Sequence, residues 1–251
     1  MIYFAARVIN KAQVTMTDTP DQWIIIAIVT VIILSGFGFI RLIRACDAAN
    51  DIDWGGRWIN RLDGLNRLFC RHFHRLQYET LKIPDKGGVI MVSNHVSGLD
   101  PLLLIAASKR PLRFMIAKSE YDRFGLTWLF RAVGCIPVAR DRRVEGAFRS
   151  AVRALEAGEV LAMFPHGRIQ LDSEPPIKLK AGAVKLAQMA GCPIYPVRIE
   201  GVLGKGMVIL APFLPSRARL YSLPPITCDQ DETEQCLAKV ANSISSPVVR
   251  G

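Results

Sequence analysis

The sequence predicts an α/β fold, a mixed, largely parallel sheet flanked by helices and preceded by a transmembrane helix and an amphipathic interfacial helix. Three observations predict it. An uncharged run from Trp23 to Ile40 is close to the length of a hydrocarbon core. A helical-period segment rich in arginine follows it. From Val89 onward, short apolar runs alternate with helical patterns, which is how a layered sheet with crossover helices is encoded.

Composition narrows the partners. The chain has 251 residues, half of them apolar, and a formal net charge of +10 with a pI near 9.6. Such a charge favours anionic partners: nucleic acid, an anionic membrane surface or a phosphorylated substrate. No helix-turn-helix or RNP-type sequence is present, so no nucleic acid is expected. Cys46, Cys70, Cys135, Cys192, Cys228 and Cys236 form no C-x-x-C pair and no zinc-type cluster. They are expected as thiols, with neither metal nor disulfide framework.

The expected organisation is a leader over 1–22, a transmembrane helix over 23–43, an amphipathic membrane-interface segment over 44–80 and a catalytic domain over 81–251. Arg41 and Arg44 directly follow the apolar run, whereas the leader sets Arg7 and Lys11 against Asp18 and Asp21. The positive-inside rule then puts the catalytic domain on the cytoplasmic side of a single-pass or monotopic membrane protein. A cleaved signal is the rival reading, but Arg44 is wrong for the lipobox that Ala45-Cys46 suggests. Trp54, Trp58, Leu62, Leu65, Phe69, Phe73 and Leu76 fall three and four apart, with Arg57, Arg61, Arg67, Arg71 and Arg75 between them. That pattern suits a helix in the headgroup region, its apolar side facing acyl chains and its guanidiniums facing phosphates. A helix packed on the catalytic domain is the plain alternative. His72 and His74 are placed in this helix with no chemical role.

The centre of the sequence is Val89 to Leu104. An apolar strand breaks off at Asn94-His95, a Ser97-Gly98 turn follows, and Asp100-Pro101 opens a helix with Asp100 as N-cap and Pro101 as the first helical residue. The turn can return the Asp100 carboxylate to the His95 imidazole, and a carboxylate on one ring nitrogen leaves the other free to take a proton. Alone, a His-x4-Asp spacing is a weak signal. Asn94 and Ser97 are expected only to hold the loop. Further on, strands are expected over 112–117, 135–138, 160–164 and 193–199, and helices over 126–132, 144–157, 181–190 and 232–244. Apolar runs at 207–210 and 219–223 lie among prolines that mark loops or sheet edges. Ligands of such sheets gather at the carboxyl ends of strands, where both Asn94-His95 and Phe164-Pro165-His166-Gly167-Arg168 fall.

The blocks Asn94-His95-x4-Asp100, Ile136-Pro137-x-x-Arg140, Phe164-Pro165-x-Gly167-Arg168, Lys180-Ala181-Gly182 and Pro193-Ile194-Tyr195-Pro196-Val197 occur in the order and approximate spacing of the glycerolipid acyltransferases. The sequence thus resembles that family, which includes 1-acylglycerol-3-phosphate acyltransferases, over roughly 62–201. The resemblance implies transfer of a fatty acyl group from acyl-CoA or acyl-ACP, as co-substrate and not a permanently bound cofactor, to the free hydroxyl of a lysophospholipid acceptor among membrane lipids. It implies His95 as the base and Asp100 as its orienting partner. It also implies a substrate-binding set of Arg140, Phe164, Pro165, His166, Gly167, Arg168 and Lys180, in which cations favour a phosphate. One departure is visible: family members usually carry glutamate where this chain has His166. Gly167-Arg168 in direct succession resembles the bacterial 2-acylglycerophosphoethanolamine acyltransferase branch, so the acceptor stays open. A coenzyme-independent transacylase and a catalytically silent lipid-binding protein are the other functions this pattern admits.

Overall fold

In the computed structural model, residues 20–78, 81–139, 144–171, 175, 178–228 and 232–245 are described. The chain divides into two compact units, residues 1–44 and 45–251. Most of the expected leader lies outside the described residues. Helix α1, Pro20–Ala49, extends the expected span at both ends. Over Asp21–Ala49 it is long and apolar enough to cross a membrane. Its Ile, Val and Leu-rich run carries no proline after Pro20, so nothing of that kind stops it internally.

In the second unit the amphipathic segment becomes α2, Arg57–His72. It begins later than the periodicity suggests, because Gly55 takes φ +80° and ends any helix there. Its burial departs from the sequence reading at Arg67. The side that enters the protein is the one bearing Asp63, Gly64, Arg67 and Cys70, whereas Trp58, Leu62 and Leu65 point outward. Gly64 is required by that packing, since a Cβ there would collide with the Cys46 carbonyl in the last turn of α1. Arg67 is not a lipid-facing arginine. It is buried, paired with Asp63 at 2.6 Å, and donates to the carbonyls of Ala106 and Ser108 at 3.0 and 2.8 Å, at the end of the helix that Asp100 opens. A cation there satisfies carbonyls that a helix C-terminus leaves without partners. Arg61 instead holds Asp47 at 2.9 Å and lies over the Trp58 ring. His74 falls just beyond α2, buried, with Nε2 donating to the Pro212 carbonyl at 3.1 Å.

The remaining elements follow the α/β alternation: β1 (Gln77–Tyr78), β2 (Val89–Ser93), α3 (Asp100–Ala107), β3 (Leu112–Ala117), α4 (Lys118–Tyr121), α5 (Thr127–Ala132), β4 (Ile136–Val138), α6 (Val144–Glu156), β5 (Val160–Met163), α7 (Gly182–Ala190), β6 (Ile194–Glu200), a short 3₁₀ turn (Ala211–Phe213), β7 (Arg219–Ser222) and α8 (Thr233–Ser245). The strands form one seven-stranded sheet in the order β1-β7-β6-β2-β5-β3-β4, parallel throughout except for the β6–β7 pair. The expected mixed, largely parallel sheet is therefore the observed one. The run 207–210 is the exception among the apolar segments and forms a loop, because prolines at 212 and 215 and glycines at 201, 204 and 206 leave no length for a strand.

Strand β2 explains why the site is central. All five of its residues are buried, β5 flanks it on one side and β6 on the other, and neither is its neighbour in sequence. Chains leaving a strand placed this way diverge, and a crevice opens at its carboxyl end. One core cluster, including Met91, Leu99, Leu103 and Leu104, joins β2 to α3; the other, including Ile90, Val92, Leu161 and Val184, joins it to α7. The cysteine expectation is corrected at one pair: Cys228 and Cys236 form a disulfide, with a Cα–Cα distance of 5.7 Å. An eight-residue spacing gives no sequence signal, and Cys236 stands in the first turn of α8. Cys46, Cys70, Cys135 and Cys192 are buried thiols.

Arg67→Ala is expected to destabilise the fold by about 3–5 kcal/mol, because it leaves a buried Asp63 carboxylate unpaired and strips the end of α3 of its donors. Denaturant unfolding of the detergent-solubilised chain measures it, and a loss below about 1 kcal/mol would show that Asn50, which already donates to Asp63 at 2.8 Å, and solvent take over the role.

Candidate active site

The loop after β2 folds around one carboxylate. Asp100 is fully buried, and its Oδ2 accepts from His95 Nδ1 at 2.9 Å, Val96 N–H at 2.6 Å and Ser97 N–H at 2.9 Å. Its Oδ1 accepts from the Ser97 hydroxyl at 2.9 Å, while that hydroxyl accepts from Leu99 N–H at 3.2 Å. The expected N-cap role is corrected here. Leu99 is the N-cap and Asp100 is the first helical residue, so its carboxylate turns back into the loop and not onto the helix. Pro101 stands one place later than expected, still within the first turn, where its lack of an N–H costs nothing. Asn94 fastens the other end of the loop. Its side chain donates to Ile199 O at 2.9 Å and accepts from Ile199 N–H at 2.8 Å, continuing the β2–β6 ladder with an amide in place of backbone.

With Nδ1 donating to Asp100, the His95 tautomer carries a bare Nε2, the form a proton acceptor needs. The ring is stacked on Phe164, with centroids 4.1 Å apart and planes at 16°. Phe164 in turn stacks on Phe114 at 6.1 Å. Two torsions of the imidazole are thereby fixed, one by a hydrogen bond and one by a flat apolar surface.

The loop after β5 completes the setting. Gly167 N–H donates to Phe164 O at 2.9 Å in a turn whose last residue has φ +69°, a value glycine adopts without strain. Lys180 N–H donates to Pro165 O at 2.9 Å, and the Lys180 side chain lies across Gly167. Gln170 N–H donates to His95 O at 2.8 Å, which ties this loop to the histidine loop. His166 is half-buried, with Nδ1 unpartnered among the described residues. Burial, then the neighbouring His95, pushes its pKa below the ordinary histidine value, so it is neutral near pH 7.

The sequence-derived residues thus fall into three groups. His95, Asp100, Phe164 and His166 come together, and Pro165, Gly167 and Lys180 form the turn beside them. Arg168 follows Gly167 on the exposed side of that turn. Arg140 lies outside the described residues. A cavity of about 930 Å³ runs from Asn94, His95 and His166 towards α8, where Leu237, Ala241 and Ile244 form its wall. Lys178 and Arg198 place two cations on it. Sequence reasoning did not assign these residues. The one available signal was Arg198 within strand β6, ion-paired at 2.8 Å with Glu200 at the strand's end, and the contribution of α8 reaches the cavity only through tertiary packing. Among the described residues, no cluster of histidine, cysteine or acidic residues could hold a metal ion.

With this geometry, a match to a family model described as Acyltransferase over residues 75–200, half of the chain, becomes decisive. The chain belongs to the acyltransferase family. The matched region spans β1 through the end of β6 and contains every site residue named above except those of α8. A probable 1-acyl-sn-glycerol-3-phosphate acyltransferase of Mycoplasma genitalium is 37% identical over 131 residues, 49% of this chain and 48% of that protein. The 1-acyl-sn-glycerol-3-phosphate acyltransferase of Bacillus subtilis is 23% identical over 125 residues, 49% of this chain and 61% of that one. The chain spans about half the length of the first of these relatives. The crystal structure of the 1-acyl-sn-glycerophosphate acyltransferase PlsC from Thermotoga maritima has the same fold, with a TM-score of 0.62 over 88% of this chain and 89% of that one at 22% identity.

A neutral buried His166 ties stability to pH. Its folded pKa is lowered, so as pH falls through about 6.5 the unfolded chain takes up a proton that the folded chain refuses, and stability declines. Thermal unfolding is expected to show a Tm that drops from pH 7 to pH 5, with a shallower drop in His166→Gln. An identical slope in that variant would assign the pH dependence to other groups, His74 first, since burial lowers its pKa as well.

Proposed function

We propose that this acyltransferase moves a fatty acyl group from a thioester donor, acyl-CoA or acyl-ACP, to the free hydroxyl of 1-acylglycerol-3-phosphate or a related lysophospholipid at a membrane. One observation carries the proposal: a buried carboxylate oriented by three loop donors holds His95 through Nδ1, and the ring borders a cavity large enough for a lipid headgroup and part of a chain.

The chemistry follows from that arrangement. His95 Nε2 accepts the proton of the acceptor hydroxyl as the oxygen attacks the thioester carbonyl carbon. Asp100 stabilises the imidazolium that results. The carbonyl electrons move to oxygen, then return as the C–S bond breaks, and the departing thiolate takes the proton from the imidazolium. No acyl-enzyme is required. Lys178, Arg168 and Lys180, from the loop after β5, supply cations suited to the acceptor phosphate, and a guanidinium suits it best because it can donate two parallel hydrogen bonds.

The membrane supports the same assignment. The chain carries a helix long and apolar enough to cross a bilayer, and α2 turns Trp58, Leu62 and Leu65 outward, with Trp58 70% exposed. A helix that turns Asp63 and Arg67 inward and Trp58, Leu62 and Leu65 outward fits a lipid surface better than water. Arg41 and Arg44 favour a cytoplasmic catalytic unit.

The test is transfer of labelled acyl groups from acyl-CoA, and separately acyl-ACP, to a panel of lysophospholipids by the detergent-solubilised chain. His95→Ala is expected to lower turnover by about 10²–10⁴, the contribution of a positioned base. Asp100→Asn is expected to lower kcat with little change in acceptor KM, because it removes the orienting charge and leaves the cavity intact. Full activity in either variant would rule out this mechanism.

A further inference from the structure

The segment between β6 and β7 is built in two parts. Its base is fixed: Val202, Ala211 and Ser216 are buried, and Leu203 N–H donates to the Ser216 hydroxyl at 3.0 Å. Its crest is not covered. Met207, Val208, Ile209, Leu210 and Phe213 all point outward, Ile209 at 66% and Phe213 at 70% exposure. Scattered exposed apolar residues are ordinary, but a contiguous group of this size marks a surface that meets something apolar.

The crest is fastened to both surfaces that matter. On one side Gly206 N–H donates to Val96 O at 2.8 Å, and Gly98 N–H donates to Met207 O at 3.0 Å, so it pairs with the loop that carries His95. Gly98 approaches the Val208 carbonyl so closely that a Cβ could not be placed between them. On the other side Pro212 O accepts from His74 Nε2, and the His74 ring lies edge-on to Phe69 and Phe73, centroids 4.8 and 5.0 Å away. The crest is therefore joined through His74 to α2, whose outward face is also apolar. Charge adds a direction. From Gly201 to Cys228 the sequence holds no acidic residue, while Lys205, Arg217 and Arg219 flank the apolar stretch.

We propose that the Met207–Phe213 crest is a second bilayer-contacting element, inserted at the acyl boundary of an anionic membrane and holding the His95 loop at that boundary. The partner is a lipid surface. Apolar side chains between cations, attached to a helix that shows the same apolar side outward, match the headgroup-to-acyl boundary in both polarity and sign. The consequence for the proposed acyl transfer, on whose assignment this role rests, is that the acceptor reaches His95 without leaving the bilayer.

The experiment places an environment-sensitive fluorophore on Ile209→Cys, and separately on Phe213→Cys, in the full chain reconstituted into vesicles of phosphatidylglycerol and phosphatidylethanolamine. Glu145→Cys, exposed on α6, is the aqueous reference. Label goes to the introduced thiol because the four native free ones are buried, and burial raises the Cys70 and Cys135 thiols to about 12 and about 11. Nitroxide on the lipid chains is expected to quench positions 209 and 213 at least about twofold more than 145, and iodide at least about twofold less. Iodide quenching equal to that at 145 would overturn the proposal. Protection from both quenchers would overturn it too, since it would assign the crest to a second copy or another protein. The quenching needs no turnover. Lipid contact without acyl transfer by the same sample would remove the proposed function alone, and acyl transfer with a crest in water would remove this inference alone.

Discussion

The Asp100 carboxylate is the constraint on which the site depends. Fully buried, it takes four hydrogen bonds from a stretch of three residues, His95 to Ser97, and so closes the loop between β2 and α3 onto itself. A buried anion without donors would be costly, and two backbone N–H groups without an acceptor would be costly as well. Each need is met by the other, and the imidazole is oriented as part of the same solution. The orientation of His95 and the stability of the loop are consequently not separate properties here. A substitution that loosens the loop also releases the histidine.

Around that centre the fold supplies two kinds of support. The sheet gives direction, because β2 lies between β5 and β6 and delivers the His95 loop and the Phe164 loop to the same end. Side chains give precision: Phe164 lies flat against the imidazole, and the Asn94 amide continues the backbone ladder into β6. His166 stands beside them as a neutral ring, where a glutamate would bring a negative charge.

How much of this the sequence disclosed depends on the range of the interaction. The His95–Asp100 pair, the strand before it and the turn at Gly167 are local, and residue type and spacing expressed them directly. The burial of Arg67 was not local. Periodicity in α2 separates the outward Trp58, Leu62 and Leu65 from the rest, but Arg67 is buried through Asp63 and through the carbonyls of Ala106 and Ser108, which lie about forty positions away. Leu237 and Ala241 were silent for the same reason, as was the Cys228–Cys236 bond. Asp100 shows a subtler limit: its pattern fits a helix cap, and only the backbone angles of the turn decide that the carboxylate looks backward.

The Arg67 clamp has a mechanical meaning. Helix α3 is eight residues long, about 12 Å of axis at the usual rise. One end is bolted to α2 by a guanidinium that reaches its terminal carbonyls, and the other end begins with the carboxylate that holds His95. Nothing between them is a loop. A tilt or displacement of α2 is carried by a short rigid rod to the His95 imidazole, so the position of that ring follows the position of α2.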